Sequence, residues 1–239
     1  MSKLANLPTA QPDAAFALVE AYKADPSPHK VDLSPGFYRD EDAKPWILPS
    51  VRKVSLDIPI YQQLLSSLTC INLIQAKEEL QNDPTENHEH LPIIGHTGLL
   101  NSARQLVFDC TEKEAASIAS VQTIAGTGAN HLGALLLSKH ALAQTVWISN
   151  LSWINHHEIW ELVDSSIDRQ VYPYFDEASF TLDFENTVST LKEKTKEGDV
   201  VVLHACGHNP TGIDFTKEQW TTLRGIFEEK KLFAFFDLA

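Results

Sequence analysis

Cations are scarce in this chain. Lysine and arginine number 19 against 32 acidic residues, a net charge of −13 over 239 residues. A polyanion is held by clustered cations that displace its counterions, so nucleic acid is not expected as a partner. Cysteine is scarcer still. Cys70, Cys110 and Cys206 form no spaced framework and fit a reducing compartment with free thiols, so no disulfide is expected. Long apolar runs are missing too. Ile58 to Ala76 holds Pro59, Gln62, Gln63 and Asn72, and Ala115 to Ser138 holds Gln122, Gly126, Gly128, Asn130 and His131, so neither reads as a membrane span. The first residues lack the basic start and apolar run of a secretory signal, because Lys3 is soon followed by Pro8, Pro12 and Asp13. A cytoplasmic location without a membrane partner is expected. Internal repeats are absent as well. What remains is apolar mass: at 43% hydrophobic the chain can fill a sizeable core, which sets aside disorder and low complexity.

Asp13 precedes Ala15, Leu18, Val19 and Tyr22, a helical spacing with an N-cap residue in place. The prolines between Asp25 and Pro49 read as a linker-like loop. Beyond Ile118 the pattern becomes rhythmic. Ala119 to Ile124 reads as a strand, Gly126 and Gly128 as a turn, and Ala129 to Lys139 as a helix with Ala129, Leu132, Leu135 and Leu136 facing the core. Thr145 to Ser149 reads as a strand, Asp183 to Lys194 as a helix burying Phe184, Val188 and Leu191, and Val200 to Cys206 as a buried strand. Thr216 and Gln219 form a capping box that opens a helix to about Lys230, and Leu232 to Leu238 is another apolar strand. Strands alternating with helices predict an α/β domain with a largely parallel sheet, whose ligands lie beyond the carboxyl ends of the strands.

Three segments carry candidate chemistry. In Ala125-Gly126-Thr127-Gly128-Ala129 the glycines let backbone amides approach an anion, and the following helix adds its positive end. A ligand-free tight turn is the plain alternative. The spacing is neither the dinucleotide nor the Walker pattern, so a single phosphate is the anion that suits it. In His204-Ala205-Cys206-Gly207-His208-Asn209-Pro210-Thr211-Gly212, strand alternation puts His204, Cys206 and His208 on one face. Zinc normally needs a second spaced pair of ligands, so a core histidine and a buried thiol are expected instead. Asn209-Pro210-Thr211-Gly212 forms a turn at a strand's carboxyl end, where the Asn209 amide could meet a ligand or merely close an Asx-type turn. In Phe235-Phe236-Asp237 a carboxylate sits in an apolar strand, which is costly unless it meets a cation or hydrogen-bond donors. Trp153 follows a strand closely and could flank a ligand or pack in the core, with His156 just beyond it.

Together, Ser120 to Ala129, Trp153 with Asn155-His156, His204 to Gly212 and Phe235-Phe236-Asp237 resemble the aspartate aminotransferases of fold type I. Gly36-Phe37-Tyr38-Arg39-Asp40 and Lys44-Pro45-Trp46-Ile47-Leu48-Pro49 look like the start of the same family. The resemblance implies pyridoxal 5′-phosphate, with Gly126 and Thr127 holding its phosphate, Trp153 stacking on its ring, Asn209 bonding its phenolic oxygen and Asp237 pairing with the ring nitrogen. His156 would support Asp237, and Gly36 would line the substrate side. It further implies amino-group transfer between an amino acid, aspartate by this likeness, and a 2-oxo acid, within a homodimer.

The resemblance also implies an arm and small-domain segment over residues 1–48 and a partial, cofactor-binding large domain over 49–239. Residues 54–75 read as a possible insertion, either a surface loop or a retained intron translated in frame. Ala125 stands where the family has a phosphate-binding serine, and His90 where it has a tyrosine directed at the partner subunit. The Schiff-base lysine and a substrate-gripping arginine would lie beyond Ala239, so no catalytic residue is assigned and no appreciable transaminase activity is expected of these 239 residues alone. A non-catalytic binding or subunit-pairing protein is the second reading.

Overall fold

A computed structural model describes residues 14–30, 40–42, 46, 79–80, 82–83, 90–141 and 143–238. Asp13, Gly36, Cys70 and the segment 54–75 lie outside the described residues, as does the expected boundary at 48/49. The chain divides into two compact units, one spanning Ala10–Gly98 and the other containing Leu99–Ala239. In the first, helix α1 (Ala14–Ala24) ends where the Lys30 ammonium donates to the carbonyls of Tyr22 and Asp25, both at 2.8 Å. A cation on the last free carbonyls of a helix satisfies acceptors that the helix itself cannot.

The second unit runs α2 (Thr97–Phe108, all but its first two residues), α3 (Glu112–Ala115), α4 (Ala125–Lys139), β1 (Thr145–Asn150), α5 (Asn155–Val163), β2 (Asp168–Pro173), β3 (Phe175–Asp176), β4 (Thr181–Leu182), α6 (Phe184–Lys194), β5 (Val200–Cys206), α7 (Lys217–Lys230) and β6 (Phe233–Leu238). Four strands form a parallel sheet in the order β2-β1-β5-β6, and β3 with β4 makes a small antiparallel ribbon. The expected class, a mostly parallel sheet flanked by helices, is the one observed.

Alternation divides the core in two. Val146, Ile148, Val200 and Val202 point to one face, where Ala134 and Leu137 of α4 and Ile159 and Trp160 of α5 cover them. Trp147, Val201 and Leu203 point to the other, under Leu191 of α6 and Leu223 and Ile226 of α7. Strand β5 is buried from Val200 through His204, as a central parallel strand covered on both faces must be. At the start of α7 the Thr216 hydroxyl accepts from Gln219 N–H while the Gln219 side chain accepts from Thr216 N–H, completing the expected capping box. Helix α6 opens on Asp183, whose carboxylate accepts from Asn186 N–H at 3.3 Å.

The segment before α4 departs from expectation. Ala119 to Ile124 is not a strand, because no neighbouring backbone pairs with it among the described residues, and an apolar run becomes a strand only in a sheet. Nor are Gly126 and Gly128 a turn ahead of the helix: they lie inside its first turn, which Gly128 N–H closes on Ile124 C=O at 3.1 Å. Ala125 turns the chain into the helix with a φ of 54°, a conformation that costs a non-glycine residue roughly 1 kcal/mol.

The buried face of α4 also differs. Asn130, Ala134, Leu137 and Ser138 point inward, whereas Leu132, Leu135 and Leu136 stay more than a third exposed. The reason is a close approach. A Cβ on Gly133 would come within 2.3 Å of the Phe235 ring, so the helix lays its smallest residues on β6 and the bulky leucines fall on the flank.

Candidate active site

Sheet order determines where a ligand can lie. From β1 the chain moves outward to β2, then returns to β5 on the other side of β1, so the connections diverge between β1 and β5. In such sheets the crevice opens beyond the carboxyl ends of the two diverging strands. A cavity of about 360 Å³ lies there, lined by Gly126, Thr127, Trp153, Asn209 and Asp237 together with Asn130, His204, Cys206, Gly207 and Leu238. The five residues expected to bind cofactor are thus gathered from four separate segments. His156, expected to support Asp237, lies directly behind that carboxylate.

Each side chain has a local reason for its position. Gly126 and Thr127 line the cavity from the first turn of α4, where Ile124 makes no side-chain cap bond; free N–H groups of such a turn suit an anion. Trp153 follows β1 and meets the His156 ring edge-on, their centroids 5.3 Å apart. Asp237 pairs across the sheet with His204. Asn209 lies in the loop after β5, where its bond to Pro210 is cis. Asp214 organises that loop by accepting from the N–H groups of Gly207 and His208 at 2.9 and 3.0 Å. Those two amides hold the Asp214 carboxyl below the usual carboxylate range.

Behind the cavity runs a hydrogen-bond chain with one direction. Asn209 N–H donates to His204 Nδ1 at 3.2 Å. A backbone amide can only donate, so the proton of the neutral His204 ring is on Nε2, which lies 3.1 Å from Ser152 Oγ. Ser152 Oγ, an acceptor there, is left to donate its own O–H to His156 Nδ1 at 2.9 Å, and His156 Nε2–H donates to Asp237 Oδ2 at 2.8 Å. Burial, reinforced by the neighbouring His156, lowers the His204 pKa to about 4, so the ring is neutral near pH 7. The His156 bond, outweighing desolvation, holds Asp237 below the usual carboxylate range. The chain therefore ends on a carboxylate kept ionised inside a cleft, one oxygen already bonded, which suits a cationic N–H on a ligand.

His208 lies beside this chain. Its ring stacks on Tyr174 with centroids 3.8 Å apart, and its two nitrogens meet Ser149 Oγ at 3.1 Å and Thr211 Oγ1 at 2.9 Å. Both histidines are thus bonded at both nitrogens. Cys206 corrects an expectation: its thiol is exposed rather than buried, because β5 ends there and no element among the described residues covers it.

Reasoning from the sequence missed Ser152 and Asn130. Ser152 directly precedes Trp153 on the loop beyond β1, where ligand-side residues concentrate. Asn130 is one helical turn from Gly126, a spacing that brings a side chain over the glycine-rich turn.

Comparison with known proteins agrees with this architecture. The family model for aminotransferases of class I and II matches residues 28–239, and the chain belongs to that family. It is 39% identical over 246 aligned positions to an L-tyrosine:2-oxoglutarate aminotransferase of Aspergillus ustus, covering 100% of this chain and 43% of that protein. It is similar in structure to the aspartate aminotransferase from the cytoplasm of Saccharomyces cerevisiae, with a TM-score of 0.63 and 31% identity over 98% of this chain and 51% of the other. An aromatic-amino-acid aminotransferase from Burkholderia pseudomallei, described as covalently bound to pyridoxal phosphate, gives a TM-score of 0.60 at 29% identity over 100% and 54%. The chain spans about half the length of the relatives it matches.

Proposed function

We propose that this chain forms the cofactor-binding part of an aminotransferase that uses pyridoxal 5′-phosphate to move an amino group between an amino acid, aspartate in the first instance, and a 2-oxo acid. The observation that carries this reading is that an ionised carboxylate, Asp237, and the first turn of a helix with no side-chain cap on Ile124, at Gly126 and Thr127, line one cavity. A flat ring that carries a phosphate and a basic nitrogen needs both of those features within one cavity. Gly126 and Thr127 would take the phosphate, Trp153 would cover one ring face, and the Asn209 carboxamide would donate to the phenolic oxygen. Asp237, backed by His156, would hold a proton on the ring nitrogen, and Gly36 is assigned to the substrate side.

When bound, the cofactor supplies an electron sink for the charge that develops at the substrate's α-carbon. The chain's own task is to keep that sink electron-poor. Asp237 does so because a carboxylate held ionised, its pKa lowered chiefly by the His156 bond, favours the protonated ring nitrogen. We assign the protein to the cytoplasm and to a homodimer, by likeness to the family.

Titration with pyridoxine 5′-phosphate, which has no aldehyde and cannot label surface lysines, tests the reading. Saturable binding to the chain is expected, weakened roughly tenfold to a hundredfold in Asp237→Asn, as the loss of a charge-assisted bond predicts. Equal affinity for the parent and the variant, or no binding to either, would overturn it.

A further inference from the structure

Asn130 is 5% exposed, and its carboxamide is oddly served. The Nδ2 group donates one proton to Gly126 C=O at 3.0 Å, while Oδ1 is buried with no hydrogen-bond partner among the described residues. An unpaired buried acceptor is a cost that leucine, similar in size, would avoid. A second N–H of the amide is left to be accounted for.

Packing identifies its destination. Gly133 sits on the Phe235 ring, closer than any Cβ would permit. Phe235 and Asp237, two apart on β6, point to the same face of the sheet, and Asn130, three before Gly133, points to the same face of the helix. With α4 running against the strand direction, Asn130 comes over Asp237 as Gly133 comes over Phe235. Both residues line the same cavity.

We propose that Asn130 is a positioning residue for Asp237, its second amide N–H steadying the carboxylate from α4 while His156 holds it from α5. The role in cofactor binding rests on the reading above, in which Asp237 faces the ring nitrogen. The titratable groups facing Asp237 are His156 from α5 and His204 from β5. The low pKa of Asp237 has the bond from His156 as its largest cause, with the Asn130 amide contributing in the same direction. Two donors on different helices fix the carboxylate plane where one would leave it free to rotate.

Carboxyl-carbon NMR of the full 239-residue chain with labelled aspartate reads this directly, with Asp237→Asn assigning the resonance. In Asn130→Leu the Asp237 titration midpoint is expected to rise by roughly one pH unit, the effect of losing one donor to a charged group. Affinity for pyridoxine 5′-phosphate should fall roughly tenfold, and more than affinity for inorganic phosphate, which loses only the Asn130 bond to the Gly126 carbonyl. Should Asn130→Leu fail to fold, Asn130→Ser, which also cannot reach, is expected to give the same shift. An unmoved midpoint in the variant that folds overturns the proposal whether or not the cofactor analogue binds. A raised midpoint in a chain that does not bind the analogue supports the positioning role and refutes the cofactor reading.

Discussion

Acidification should destabilise this protein first through two buried histidines. His204 and His208 are 8% and 2% exposed, and each has a pKa lowered from 6.5 to about 4. Burial is the largest cause for both; His156 is next for His204, and His204 is next for His208. Both rings fold neutral, so the unfolded chain binds more protons wherever the pH lies between those values. Stability is then complete above about pH 6.5, falls as the pH drops through that window, and loses no more from these groups below about 4. From pH 6.5 to 5 each ring contributes a loss of roughly 2 kcal/mol, at 1.36 kcal/mol per pH unit. The two together approach about 4 kcal/mol as an upper bound, since the rings repel each other when charged. That is a large share of the roughly 5–15 kcal/mol that holds a domain together.

Urea unfolding followed by tryptophan fluorescence, repeated from pH 7.5 to 4.5, measures the slope. His204→Gln keeps an acceptor for Asn209 N–H and a donor for Ser152, and His208→Gln keeps a polar group between Ser149 and Thr211. The double variant should lose most of the slope between pH 6.5 and 5. A double variant with the parent's acid slope would refute the assignment.

Two further outcomes follow from the same geometry. Ser152→Ala should destabilise the fold by about 1–3 kcal/mol, because it strands His204 Nε2–H and His156 Nδ1 in a buried site; urea unfolding near pH 7.5 checks it, and no loss would break the hydrogen-bond chain as described. Gly133→Ala should destabilise by up to about 2 kcal/mol, since overpacking against a Phe235 ring only 2.3 Å from the new Cβ, toward the top of the usual range of about 1–3 kcal/mol, outweighs the roughly 1 kcal/mol that alanine gains in a helix. Combining it with Phe235→Leu should recover part of that loss, and a Gly133→Ala variant as stable as the parent would show that the ring yields freely.

Legibility in the sequence followed the range of the forces involved. Helix α7 was readable because Thr216 and Gln219 bond each other within three residues, and β5 because a strand covered on both faces must be apolar throughout. Strand β2 was not assigned, for Asp168–Pro173 lies at a sheet edge where only Tyr172 is fully buried, which leaves no alternation to detect. Helix α5 opens on Asn155-His156-His157 and hides its apolar stripe behind polar residues. The face of α4 was misjudged because leucines outweigh glycine in any pattern, and only the position of Phe235 reveals which face comes close. In the site, the single residues of the cavity stood out by type, but Ser152 did not. Its partners are 4 and 52 residues away, and nothing in a serine announces what it will bridge.

The one-way chain from Asn209 to Asp237 is proton-ordered, in the sense that separates the ordered form of ice from the common one. Each link gives one proton and takes one, so the whole row has a single arrangement and no residual entropy. Reversing it is barred at one end, where a peptide N–H cannot accept, and at the other, where an ionised carboxylate cannot give. An extra proton on His204 therefore has only Nδ1 to occupy, and there it would point at Asn209 N–H. The row breaks at that link, between His204 and Asn209. A proton added at one ring is in this way felt first as a lost bond to the backbone and not as a change at Asp237.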